Sequence, residues 1–114
     1  MEKKMKEVSL NDYQKMAMET AIYPLPIIYP ALGLAGEAGE VADKVKKVIR
    51  DKNSDFTNVD TKHAIAEEIG DVLWYCATLS HDLGYSLEEI GQMNYEKLKS
   101  RMERGKIHGS GDER

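Results

Sequence analysis

Residues 61–84 read TKHAIAEEIGDVLWYCATLSHDLG. In this stretch Ile65, Ile69, Val72, Cys76, Leu79 and Leu83 recur at steps of four and three, which places them on one face of an α-helix. Asp60 is the candidate N-cap and Gly84 the C-terminal stop. Upstream, GLAGEAGEVADK at 33–44 belongs to a second helix, where Leu34, Ala38, Val41, Val45 and Val48 repeat in the same way. Two long helices with one apolar seam each are what nearly antiparallel neighbours in a bundle present. No segment alternates at period two, so the expected fold is all-α and four-helix bundle-like.

Punctuation bounds the other elements. A first helix opens at Ser9, with Ser9 and Asp12 as a weak capping box, and stops before Pro24. The stretch YPLPIIYP at 23–30 reads as extended or turn-like, because each proline moves its predecessor out of the helical region. The second helix runs from about Pro30 to Lys52, with Lys44, Lys46, Lys47 and Arg50 toward the end that favours cations. The loop NSDFTNVD leads to the third helix. A fourth starts at the capping box of Ser86 and Glu89 and reaches about Arg104, before Gly105. The tail over about 105–114 has no helical period and is expected to be mobile.

The 114 residues suit one domain, 1–114, with a modest core. A net charge of −4 gives no general attraction to nucleic acid or to an anionic membrane, so a phosphate site would have to be local. The single cysteine, Cys76, makes neither an internal disulfide nor a cysteine zinc site. The N-terminus MEKKMKEVSLNDY has charge without an apolar run, and the longest apolar region is broken by Pro24, Pro26 and Pro30. These features lead us to expect a cytoplasmic protein that binds neither nucleic acid nor membrane.

The carboxylates carry the chemistry. Glu37 borders Leu34 and Val41 on the second helix, and Glu40 lies one turn further on; Glu68 and Asp71 have the same spacing on the third. One such pair is ordinarily a solvated face, with Glu40 and Lys44 as a simple i, i+4 ion pair. Two pairs bordering two facing seams are costly unless a cation joins them. Mg²⁺, an oxygen-seeking ion that keeps positions for water and phosphate, suits such a set. Gly33, Gly36, Gly39 and Gly70 weaken these helices by about 1 kcal/mol each, which makes sense if a helix or ligand comes close there. On the fourth helix Asn94, Lys97 and Arg101 share a face and suit phosphate oxygens, although a basic helix end explains them alone. Trp74 and Tyr75 are read as core aromatics rather than a base-stacking pair, and His63, His81 and His108 as surface or tail residues.

With these residues identified, the chain resembles the MazG-like nucleoside triphosphate pyrophosphohydrolases of the all-α NTP pyrophosphatase superfamily. The resemblance runs from YQKMAMETAIYP through GLAGEAGEV and EEIGDVLWY to NYEKLKSR and GSGDER. It implies Mg²⁺, with Mn²⁺ as a substitute, held by Glu37, Glu40, Glu68 and Asp71 as metal-binding and catalytic residues. It also implies substrate binding by Asn94, Lys97 and Arg101. The implied reaction is hydrolysis of NTP or dNTP to monophosphate and pyrophosphate, as nucleotide-pool housekeeping, by a homodimer or homotetramer. An all-α dUTPase, a phosphoribosyl-ATP pyrophosphohydrolase and a non-enzymatic helical interaction protein stand as alternatives. A di-iron bundle does not, because no histidine follows a glutamate at the required i, i+3 spacing, and a phosphate loop of the GxxxxGK[ST] type is missing. Tyr23, Ile27, Ile28 and Tyr29 form an apolar patch that needs cover, and independently point to at least a homodimer.

Overall fold

A computed structural model describes residues 7–105. These form four helices: α1 (Leu10–Glu19), α2 (Ile28–Asp51), α3 (Val59–Asp82) and α4 (Leu87–Glu103), with no strand among the described residues. The expected tail from Lys106 onward, including His108, lies outside them. None of these helices is long and apolar enough to cross a membrane.

The caps explain where the helices begin. Ser9 Oγ accepts from the Asp12 N–H at 3.0 Å, and Ser86 and Glu89 form the reciprocal capping box. At α3 the expectation of Asp60 is corrected: Asn58 is the N-cap, its Oδ1 accepting from the Thr61 N–H at 3.1 Å. Asp60 instead lies in the first turn, where the helix dipole favours a carboxylate. Likewise α2 starts at Ile28, two residues before Pro30. Proline is tolerated in a first turn, whose N–H groups have no partner within the helix. Gly84 (φ 86°) ends α3 as expected.

Among the described residues helix α3 is the hub: it packs against α1, α2 and α4, whereas of the other helices α2 packs against α3 alone and α4 also touches α1. Helices α2 and α3 run in opposite directions. Gly33 near the start of α2 meets Tyr75 near the end of α3, and Lys52, just past the end of α2, bonds Thr61 near the start of α3. Because one helix covers only a narrow stripe of its neighbour, the predicted seams are only partly buried. Val48 is buried, while Leu34, Val41, Val45, Ile65, Val72, Cys76 and Leu79 are half-buried. Ala38, Ile69 and Leu83, also assigned to the seams, are exposed. The radius of gyration, 17.1 Å, exceeds the roughly 13 Å of a compact chain of this length.

The small core joins α1, α3 and α4 through Ala17, Ala77 and Leu87, with Tyr13, Trp74 and Cys76 against them. Buried Gln14 ties the three helices together. Its Nε2 donates to the carbonyls of Ala77 (3.1 Å) and Tyr85 (3.0 Å), and its Oε1 accepts from the Leu87 N–H (3.2 Å). Three backbone polar groups are thus satisfied, two of them through buried bonds.

Between α1 and α2 the chain is strained and pinned. Ile27 has φ 72° and ψ −56°, and the Ile28 N–H bonds back to the Pro26 carbonyl at 2.8 Å, closing a γ-turn. Such a φ is a genuine outlier for a β-branched residue. Asp82, at the end of α3, holds it there: Oδ2 accepts from the Ile27 N–H (3.0 Å) and from the Tyr23 hydroxyl (2.7 Å).

Candidate metal centre

Glu68 and Asp71, three residues apart, share one face of α3, and the antiparallel packing brings Glu37 of α2 opposite them. Carboxylate oxygens of Glu37, Glu68 and Asp71 all lie within 4.8 Å of one another. Glu37 is held above the usual carboxylate pKa, first by burial and then by the charges of Asp71, Glu68 and Glu40. The fourth predicted ligand, Glu40, is one turn further along α2, exposed and outside this group of three. Lys44, considered in sequence as a partner of Glu40, reaches across to Glu68 instead, with Nζ 4.0 Å from Oε1. An all-oxygen set of converging carboxylates fits a hard divalent cation such as Mg²⁺ or Mn²⁺.

Aromatic side chains wall one end of the cluster. Tyr75 occupies the space beside Gly33, where an added β-carbon would come within 2.3 Å of the ring. Its phenol is pushed up in pKa by burial, then by Tyr29, Glu37 and Asp71. Tyr13 of α1 is also pushed up, by burial and then by Asp71. Behind them Tyr23 stacks on Tyr29 with centroids 5.3 Å apart, and Trp74 meets Tyr75 edge-on at 5.0 Å. The Trp74 indole N–H donates to Thr20 Oγ1 at 2.9 Å, which gives that ring a structural place. Of the glycines expected to make room here, only Gly33 has a neighbour to accommodate. A β-carbon on Gly36, Gly39 or Gly70 would meet nothing within the described chain.

The residues expected to bind phosphate are not brought to this cluster by one chain. Asn94 and Lys97 are exposed on α4, where they line a cavity of about 280 Å³ with Ile90 and Met93, and α4 does not touch α2. Arg101 is buried, 3% exposed. His63 and His81 are exposed, the former 3.2 Å from Glu67, in keeping with surface roles. Sequence reasoning missed the Asp82 pin, whose signal is long-range, and the cross-helix reach of Lys44, because the i, i+4 spacing to Glu40 offered a nearer partner.

Residues 30–105 match the MazG nucleotide pyrophosphohydrolase domain. The chain is 44% identical over 110 residues to the Gene 37 protein of Mycobacterium phage L5, covering 90% of this chain and 96% of that protein. It is 35% identical over 74 residues to the uncharacterized protein YvdC of Bacillus subtilis strain 168, covering 61% of this chain and 70% of that one. No solved structure matches it significantly.

Proposed function

Because the chain belongs to the MazG nucleotide pyrophosphohydrolase family, we propose that it hydrolyses NTPs or dNTPs to the monophosphate and pyrophosphate, with Mg²⁺ or Mn²⁺, as cytoplasmic nucleotide-pool housekeeping. The observation that carries this reading is the convergence of Glu37, Glu68 and Asp71 across the α2–α3 interface. These three would hold the metal, and Glu40, on the same stretch of α2, would complete the set by a side-chain rotation. A bound divalent ion supplies charge neutralisation for the phosphates and a more acidic water. Glu37, which faces Glu68 and Asp71 across the interface, is the carboxylate we assign to accept a proton from the attacking water. Tyr75 and Tyr13 stand near enough to the cluster for the Asp71 charge to raise both phenol pKa values.

The protein would act as a homodimer or homotetramer. Leu32 (70% exposed), Ala35, Gly39, Ala42 and Ile49 (57% exposed) follow one another along an uncovered face of α2. Ile69 adds an exposed apolar side chain from α3, and Ile28 and Tyr29 continue the surface at the start of α2. A second copy packed there would bring α4, with Asn94 and Lys97, to the substrate phosphates; Arg101 would act beside them by bracing α4. Incubation with Mg²⁺ and a panel of NTPs, dNTPs, dUTP and phosphoribosyl-ATP tests the reaction. Monophosphate and pyrophosphate are the expected products, and the preferred nucleotide separates this reading from a dUTPase or a phosphoribosyl-ATP pyrophosphohydrolase. Release of orthophosphate, or no release at all, would refute the reading.

A further inference from the structure

Toward the C-terminal end of α2 and the N-terminal end of α3 lies a cavity of about 290 Å³. Val48 and Ile65 give it an apolar floor, and Lys44, Lys47 and Lys52 surround it. In a chain of net charge −4, three ammonium groups around one cavity make a local positive field. The one carboxylate in the lining, Asp51, is taken up by Arg50 through two contacts of 2.8 Å. Lys52 Nζ donates to Thr61 Oγ1 at 3.1 Å, which fixes its position and leaves two of its three protons for a ligand. Lys47 is 2.8 Å from Asp43, a carboxylate outside the lining that Lys46 also approaches, at 3.1 Å. Thr61 also stands in the first turn of α3, where the helix dipole favours negative charge.

The cavity and the carboxylate cluster follow one another along the same pair of helices, α2 and α3. Thr61, Ile65 and Glu68 lie on successive turns of α3, so about 5–10 Å along the axis separates Glu68 from the cavity. Lys44 stands at the junction, lining the cavity while its Nζ lies 4.0 Å from Glu68. A polyphosphate anchored at the carboxylates through metal would meet Lys44 first and then Lys47 and Lys52.

We propose that this cavity receives the terminal diphosphate of the nucleotide, the portion released as pyrophosphate; the assignment rests on the pyrophosphohydrolase reading above. In that reaction the α–β anhydride P–O bond breaks as the water oxygen forms a new P–O bond. One proton is released, and the two products together carry correspondingly more negative charge, which the three ammonium groups offset. Lys44, Lys47 and Lys52 thus bind the leaving half, while the carboxylates serve the reacting centre.

The test is titration calorimetry of the full chain with inorganic pyrophosphate, without divalent metal, comparing the parent with Lys47→Gln/Lys52→Gln. Loss of two charge-assisted contacts is expected to weaken binding by about tenfold or more. If the parent turns nucleotides over, KM and the pyrophosphate inhibition constant of the paired variant should rise together by a similar factor. Lys47 is 53% exposed, so Lys47→Gln alone keeps the comparison available if the paired variant melts early. Parental pyrophosphate affinity in a folded variant would overturn the cavity assignment even if hydrolysis is confirmed. Lysine-dependent pyrophosphate binding by a protein that hydrolyses no nucleotide would sustain the cavity and refute the pyrophosphohydrolase reading.

Discussion

A β-carbon built on Gly33 would stand 2.3 Å from Cε1 of Tyr75 and 2.4 Å from its Cζ, so the phenol ring rests directly against the α2 backbone. The ring also neighbours Glu37 and Asp71, which makes this contact part of the support for the carboxylates. Gly33→Ala should therefore lose stability by about 1–3 kcal/mol through overpacking, despite alanine's helix preference of roughly 1 kcal/mol. In a Tyr75→Ala background the same change should be neutral or stabilising. Urea midpoints for the four proteins measure the coupling, and additivity would show that the ring can move aside freely.

Removing a carboxylate should separate activity from stability. Asp71→Asn or Glu40→Gln is expected to lower turnover by more than about 100-fold, since even the outer partners of metal ligands cost ~10–100-fold when removed. The metal-free Asp71→Asn protein should melt at a higher temperature than the parent, because Glu37 and Glu68 lose a like-charged neighbour. Parental turnover in both variants would exclude the four-carboxylate set.

The pin at Ile27 has a pH signature. Burial raises the Asp82 pKa, but hydrogen bonds from the Ile27 N–H and the Tyr23 hydroxyl, together with His81, outweigh it and leave the carboxyl below its ordinary 3.8. Its folded pKa lies below the unfolded one, so the stabilisation is present above about pH 4 and lost as pH falls through the folded value. Asp82→Asn should cost about 1–3 kcal/mol at neutral pH. The gap from the parent should close as pH falls below 3.8, as read by denaturant midpoints across pH. A gap independent of pH would show that the charge of Asp82 is immaterial.

Gly39 reports on assembly. Nothing in the described chain lies within 4 Å of a β-carbon at this position. If the face of α2 met only water, Gly39→Ala would stabilise the protein by about 1 kcal/mol. If a second copy packs there, as proposed, the variant should shift toward monomer and lose stability at low concentration. Light scattering and concentration-dependent melting distinguish these outcomes.

How far the sequence could be read follows from the range of each signal. Helix ends set by local chemistry, such as Ser9, Ser86 with Glu89 and Gly84, were legible because the cap and its partner are at most three or four residues apart. The cap of α3 was misplaced because Asn58 and Asp60 are both good caps, and only backbone geometry chooses between them. Glu37, Glu68 and Asp71 were legible as a group because periodicity put each beside a seam. The position of Glu40 was not, because a side-chain rotation decides it. The exposure of Ile69 and Leu83 was hidden as well, since periodicity names an apolar face without saying how many neighbours cover it.

Among the described residues helix α2 has α3 as its sole helical packing partner, and the loop joining them spans only residues 52–58. Glu37, Glu40, Glu68, Asp71 and the three lysines therefore all belong to a single helical hairpin or its connecting loop. Its contacts span from 9 residues, Lys52 to Thr61, to the 42 between Gly33 and Tyr75, whereas docking α1 joins parts of the chain as far apart as Gln14 and Leu87, 73 residues, so the hairpin is the more local unit. Amide exchange in α1 and α4 can then proceed by subglobal opening that leaves the hairpin intact. Divalent ion bound at the carboxylates should slow exchange in α2 and α3 selectively, recording occupancy of the site in a protein that has turned over no substrate.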